Sequence, residues 1–200
     1  LAVILAGGKS KRFGEDKNLA KLGSISLIEH TIYKIREKFK KILIIANNDL
    51  KVEEFKDIEI IPDHIKGNLG PLVGVLTAMK WAKHSKENYK WIATFPSDTP
   101  FFDSSIIEKY EKKIIKNDSP LYFVRSDDKR HNIFGLWSLD LLDILEKDIV
   151  KNNFRKVEDW ANKIGVKTIN IKFKKFDPFL NINTKEDLIE AEKILKNYKK

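Results

Sequence analysis

An α/β architecture, with a mostly parallel sheet wrapped by helices, is what this 200-residue sequence predicts. Three observations carry the expectation. The chain opens on an unbroken apolar run, Leu1-Ala2-Val3-Ile4-Leu5-Ala6, the pattern of a strand covered by helices on both faces. Strand-like stretches recur at residues 41–46, 59–61 and 91–95, the first two apolar after an initial Lys41 or Glu59, separated by segments whose apolar residues fall at helical spacing. Such alternation builds parallel units, whereas adjacent strands at 120–124 and 132–137 predict antiparallel neighbours in the second half.

Each element has a local reason. Ser26-Leu27-Ile28-Glu29 is a capping-box pattern and predicts a helix to about Lys38, with Leu27, Ile28, Thr31, Ile32 and Ile35 inward. Gly67 to Pro71 reads as a turn, and Pro71 suits the first position of the helix that carries Leu72, Val75, Leu76, Met79 and Ala82. Asp103 is expected to cap a helix reaching about Lys116, and Ser138 one from Leu139 to Asp148. Residues 125–131 read as a polar loop between two strands. A helix at 157–163, a strand at 166–171 and a last helix opened by Thr184-Lys185-Glu186-Asp187 complete the chain. With no repeat, linker or low-complexity stretch, residues 1–200 are expected to form a single domain.

Composition narrows the functional classes. There are no cysteines, which excludes disulfides and thiolate metal sites. No apolar run approaches the roughly 20 residues that span a bilayer, and residues 1–6 are too short for a secretion-signal core. A cytoplasmic location without membrane contact is therefore expected. The net charge of +9 comes from lysines spread over every helix, without interleaved aromatics that would stack on bases. Nucleic acid is accordingly not an expected partner.

The first strand empties into Gly7-Gly8-Lys9-Ser10-Lys11-Arg12-Phe13-Gly14-Glu15-Asp16-Lys17, with three glycines and four Lys/Arg. Ligands of open α/β sheets bind at that end of a strand. Glycine backbone and cationic side chains there suit a polyphosphate. The spacing is neither a P-loop nor G-x-G-x-x-G, which excludes the two commonest nucleotide loops.

The pattern L-A-G-G-x-S-x-R-x-G-x-D-K over residues 5–17 resembles the signature of the Rossmann-like nucleotidyltransferases, the nucleotide-diphospho-sugar transferase-like fold. It is most similar to the molybdenum cofactor guanylyltransferases. Asp98-Thr99-Pro100-Phe101 matches that family's D-T-P-F, Gly70-Pro71-Leu72-Val73-Gly74 has a counterpart, and Asn181-Ile182-Asn183-Thr184 with Asp187-Leu188 matches its N-I-N-T-x-x-D-L stretch. Residues 130–137 resemble its H-P-x-x-x-L-W, with Asn132 in place of proline.

The resemblance implies transfer of GMP from GTP to the terminal phosphate of molybdopterin, with Mg²⁺ on Asp98 and pyrophosphate as co-product. It implies catalytic roles for Lys17, Arg12 and Asp98. Nucleotide contacts are implied at Leu5, Ala6, Gly7, Gly8, Lys17, Asn47, Asp63 and Asp98, and acceptor contacts at His131, Asn181 and Asn183. Residues 1–100 would then serve mainly the nucleotide and 101–200 the acceptor. A monomer or weak oligomer, in transient contact with other molybdenum cofactor proteins, is the expected assembly. Related enzymes with another base or acceptor stay open: a molybdopterin cytidylyltransferase, or a cobinamide-phosphate or sugar-phosphate guanylyltransferase. Gly7 where cytidylyltransferases usually carry alanine, and Thr99 after the aspartate, lean towards guanine. A nucleotide-binding module without turnover is the alternative outside enzymes.

Overall fold

The apolar runs become strands close to where they are expected. In the computed structural model of the protein, β1 (Ala2–Leu5) is followed by β2 (Lys21–Leu22), β3 (Ile25–Ser26), α1 (Leu27–Ile35), β4 (Ile42–Ile45), β5 (Ile58–Ile61), α2 (Pro71–His84) and β6 (Trp91–Pro96). The second half contributes α3 (Ile106–Lys116), β7 (Leu121–Ser126), β8 (Lys129–Ser138), α4 (Leu142–Val150), α5 (Val157–Ile164), β9 (Lys167–Ile171) and α6 (Lys185–Tyr198). All residues are described except 8–12, 14–16, 49, 51, 53, 54, 56, 68, 174, 175, 199 and 200.

Among the described residues, seven strands form the main sheet in the order β5-β4-β1-β6-β8-β7-β9. Pairing is parallel at β1–β4, β1–β6, β4–β5 and β7–β9, while β8 runs antiparallel to β6 and β7. The chain moves outward from β1 through β4 to β5, then returns to lay β6 on the other side of β1. That reversal leaves a crevice beyond the carboxyl ends of β1 and β6. Gly7, Lys17 and Asp98 border it.

Apolar residues on the two sheet faces make two cores. One holds Ile28, Ile32 and Ile35 of α1 with Ile106, Ile107 and Tyr110 of α3 against Ile4, Ile44 and Phe95. The other holds α2, α4 and α5 against Val3, Leu43 and Trp137. A third cluster ties Phe13 and Leu22 to Ile182 and Ala191, pinning the glycine loop's only described interior residue under α6. No helix among the described residues is long and apolar enough to cross a membrane.

β8 carries an irregularity beside the crevice. Its register with β7 jumps between Phe123↔Gly135 and Val124↔His131, which leaves residues 132–134 bulged. Bulges of this kind re-aim side chains at sheet rims. Fully buried Thr94 serves the backbone there: its Oγ1 donates to the Ile133 carbonyl at 2.7 Å and accepts from Gly135 N at 3.2 Å and Trp137 Nε1 at 2.9 Å. A Cβ at Gly135 would stand 2.4 Å from Trp137 Nε1, so no larger residue fits.

Several local expectations need correction. Residues 125–131 are not a loop, because β7 and β8 extend into a hairpin turning at Asp127 and Asp128, where Asp127 adopts φ 47°. Ser126 and His131 are buried across the pair and hydrogen-bonded to each other, a contact the charged sequence does not reveal. The β2–β3 hairpin was not expected, and its turn uses Gly23 at φ 69°. Helix α1 stops at Ile35, short of Lys38, and Asp103 accepts from Ser105 N at 2.7 Å ahead of a helix that starts at Ile106. The Ser26/Glu29 capping box and the Ser138 cap form as expected.

Candidate active site

The crevice at the strand reversal opens into a cleft of about 1270 Å³. Its floor is the end of β1 (Leu5, Ala6, Gly7) and of β6 (Pro96, Ser97, Asp98). Its walls are the start of α2, residues 129–134 of β8, residues 155–158 at the start of α5, and Asn181 and Asn183 ahead of α6. Pockets for a single drug-sized ligand enclose roughly 300–1,000 Å³, and this cleft exceeds that range. This space suits two substrates side by side.

At its centre stands Lys17. Its Nζ donates to Asp98 Oδ2 at 2.6 Å and to Asn183 Oδ1 at 2.8 Å, joining three positions up to 166 residues apart. Thr99 Oγ1 donates to Asn181 Oδ1 at 2.7 Å, and Ile182 N donates to the Asp98 carbonyl at 2.9 Å. The segment before α6 is thereby stitched to the end of β6. Thr184 and Asp187 cap α6 reciprocally, through Asp187 N to Thr184 Oγ1 at 3.1 Å and Thr184 N to Asp187 Oδ2 at 2.9 Å. This leaves the Asn183 side chain to the cleft.

Two buried residues escaped the sequence reading. Asn18 donates from Nδ2 to the Ala6 carbonyl at 3.1 Å and accepts from Ser97 Oγ at 2.6 Å, locking the ends of β1 and β6 together. The only available signal was adjacency, Asn18 to Lys17 and Ser97 to Asp98.

Asn47 and Asp63 do not line the cleft. They bond each other, with Asn47 Nδ2 to Asp63 Oδ2 at 2.7 Å and Asp63 N to Asn47 Oδ1 at 3.0 Å, at the ends of β4 and β5. Asp63 Oδ2 nevertheless lies 4.0 Å from the position of a Cβ on Gly7, which places the pair at the edge of the glycine-loop floor. Gly8 and Arg12 lie outside the described residues.

His131 reaches the cleft wall but is only 8% exposed. Its ring stacks on Phe179 with centroids 4.2 Å apart, and Nε2 lies 2.6 Å from Ser126 Oγ. Burial pushes its pKa down to about 4, so the imidazole is neutral at physiological pH. Positive charge on that wall comes instead from Lys129, Arg130, Arg155 and Lys156. With Lys17, five cations face two carboxylates, Asp98 and Glu158, among the described residues. Sequence reasoning missed these four among 38 Lys/Arg.

Arg155 sits on a fixed segment. It donates to the carbonyls of Ile149 and Phe154 at 2.9 and 2.8 Å. Asp148, 1% exposed, accepts from Asn152 at 2.6 Å, Trp160 Nε1 at 2.9 Å and Lys163 at 2.5 Å. Burial raises the Asp148 pKa, but those donors outweigh it and hold the carboxyl below its usual range.

The donor set also bears on metal. No group of three or more His, Cys, Asp or Glu able to hold an ion occurs among the described residues. Asp98, with the amide oxygens of Asn181 and Asn183 nearby, is a hard-oxygen set with one carboxylate. With Asp98 Oδ2 and Asn183 Oδ1 held by Lys17 and Asn181 Oδ1 by Thr99, Asp98 offers one carboxylate to a hard divalent cation that fills its other positions with substrate phosphates and water.

A doubly wound sheet with a cationic cleft at its strand reversal defines an α/β protein of the Rossmann-like nucleotidyltransferase kind. The family profile described as MobA-like NTP transferase domain matches residues 2–164. Molybdenum cofactor guanylyltransferase of Rhizobium rhizogenes is 32% identical, covering 96% of this chain and 90% of that one. The protein of the same name from Rhizobium meliloti is 33% identical, covering 96% and 89%. A crystal structure of molybdopterin-guanine dinucleotide biosynthesis protein A from Archaeoglobus fulgidus shares the fold, with a TM-score of 0.78 at 24% identity and 98% of both chains covered. The chain belongs to the MobA-like NTP transferase family and is a nucleotidyltransferase.

Proposed function

We propose that this protein transfers GMP from GTP to the terminal phosphate of molybdopterin, forming the guanine dinucleotide cofactor and releasing pyrophosphate. The observation that carries the reading is Lys17 bonded at once to Asp98 and Asn183 in a cleft with room for two substrates. The guanylyltransferases at 32% and 33% identity support the choice of substrates.

The chemistry follows from the groups present. The acceptor phosphate is already an anion, so its oxygen attacks the α-phosphorus without a protein base. A new P–O bond forms there as the bond to the bridging oxygen breaks, and pyrophosphate leaves with that electron pair. Catalysis is then positioning and neutralisation of spreading charge. Gly7 and Gly8 let the phosphates approach the backbone, beside Leu5 and Ala6. Lys17 and Arg12 neutralise the reacting phosphates. The Asn47–Asp63 pair offers a carboxylate to the guanine N–H groups or the ribose. Asp98 would hold Mg²⁺, which when bound adds positive charge beside the transferring phosphoryl group.

On the other wall, Asn181, Asn183 and neutral His131 offer hydrogen bonds to the acceptor, and Arg130, Arg155 and Lys156 offer charge to its phosphate. Residues 1–100 thus serve mainly the nucleotide and 101–200 the acceptor, within one domain acting as a monomer or weak oligomer in the cytoplasm.

The test measures pyrophosphate release from GTP, CTP and ATP, each with and without molybdopterin. Release that requires both GTP and the pterin is expected. Release from CTP instead, or GTP binding with no release, would refute it.

A further inference from the structure

The rim that bears Asp98 has a second hollow, on the α1–α3 side of the sheet, of about 920 Å³. Phe101, Phe102, Phe176, Pro178 and Leu195 give it apolar walls. Phe101 and Phe176 meet edge to face at 5.6 Å. Into this aromatic lining projects Lys34 of α1, whose Nζ stands 5.6 Å from the centroid of Phe102.

Lys34 is half-buried and forms no ion pair among the described residues. The carboxylate that acts on it, Asp103, is engaged by Ser105 N at 2.7 Å. Burial lowers the Lys34 pKa, and Asp103 only partly offsets this. Nearby His30 is also lowered by burial, with the Leu22 carbonyl at 2.8 Å from its Nε2. The half-buried cation is thus only partly compensated by Asp103, and a bound anion would relieve the rest. Lys109 and Lys172 line the same hollow, so the charge balance against Asp103 is positive.

We propose that this hollow is a second ligand site, taking a small organic anion with a flat aromatic body, its charge on Lys34 and its ring among Phe101, Phe102 and Phe176. The site is coupled to the cleft, since the two segments that wall it also carry the cleft's polar groups. Phe101 follows Asp98 by three residues and Phe176 precedes Asn181 by five, and the two segments are bonded through Thr99 to Asn181 and Ile182 to Asp98. A ligand that shifts Phe101 against Phe176 shifts Asp98 against Asn181. Only this coupling rests on the reading of the cleft given above.

The probe is 1-anilinonaphthalene-8-sulfonate, titrated by fluorescence with GTP and Mg²⁺ in excess to fill the cleft. One saturable equivalent per chain is expected, weakened about tenfold in Lys34→Met and in Phe176→Ala. Lys34→Met should keep the parent's melting temperature, because it keeps the apolar stem against Phe102 and breaks no salt bridge among the described residues. No saturable binding, or less than threefold weakening in a folded Lys34→Met protein, overturns the site. In the pyrophosphate assay, saturating probe should change the KM for GTP at least twofold in the parent and not in Lys34→Met. No change in the parent, or equal change in both, overturns the coupling. A parent without turnover counts against the cleft's function, and the fluorescence titration then still decides the second site.

Discussion

Replacing Lys17 by Met separates folding from chemistry. The ammonium lies 2.6 Å from Asp98 and 2.8 Å from Asn183, yet the paired Lys17 and Asp98 side chains are 19% and 16% exposed. Water can reach the freed acceptors, so the pair counts with surface ion pairs and its loss costs up to about 1 kcal/mol. For a chain of this length that lowers Tm by about 2–4 °C. Turnover responds on another scale. Removing one preorganised donor from a developing oxyanion costs about 10²–10³-fold in kcat, or about 3–4 kcal/mol. The assay is steady-state pyrophosphate release with GTP, Mg²⁺ and molybdopterin, run beside thermal unfolding of the same preparation. A folded variant whose kcat falls by less than about tenfold would refute the assignment of Lys17 to the reacting phosphates.

Thr94→Val leaves Gly135 N and Trp137 Nε1 without their acceptor in a dry site, and is expected to destabilise by about 3 kcal/mol in denaturant unfolding. For His131, the folded pKa of about 4 lies below the ordinary 6.5. Its contribution to stability is therefore complete above pH 6.5 and is lost as the pH falls towards 4, where the unfolded chain takes up a proton the folded one refuses. The loss is at most about 3 kcal/mol, reduced by solvent at the cleft mouth, and His131→Asn should flatten that part of the stability–pH curve. Asp148→Ala leaves the buried Trp160 Nε1 without its acceptor while the partly exposed Lys163 turns to water, and should cost about 1–3 kcal/mol. The same variant should raise the acceptor's KM more than the KM for GTP, because it loosens the segment that bears Arg155 and Lys156.

What the sequence made legible is what depends on near neighbours. An all-apolar run such as residues 42–46 has few ways to be buried, and the Ser26/Glu29 and Thr184/Asp187 caps close within four residues. The convergence of Lys17 and Asp98 was also readable, because parallel strands must open on one rim and both residues follow such strands. What lay beyond reach depends on distant packing. Nothing in the chain marks Arg155 or Arg130 from other basic residues until the segment before α5 comes against the turn before α2, where the Arg155 carbonyl lies 3.2 Å from a Cβ position on Gly70. The motif located His131, but only the fold shows Phe179 stacked on it. The hairpin at 125–131 was hidden because its charged residues match a solvated loop as well as an exposed strand pair.

The most direct test of the central claim is a structure of the protein with Mg²⁺ and a non-hydrolysable GTP analogue. The triphosphate should lie between Gly7, Lys17 and Asp98, with the base towards the Asn47–Asp63 pair and the wall formed by Arg130 and Arg155 left open for the acceptor. A nucleotide bound elsewhere, with the Lys17–Asp98–Asn183 contacts unchanged, would contradict it.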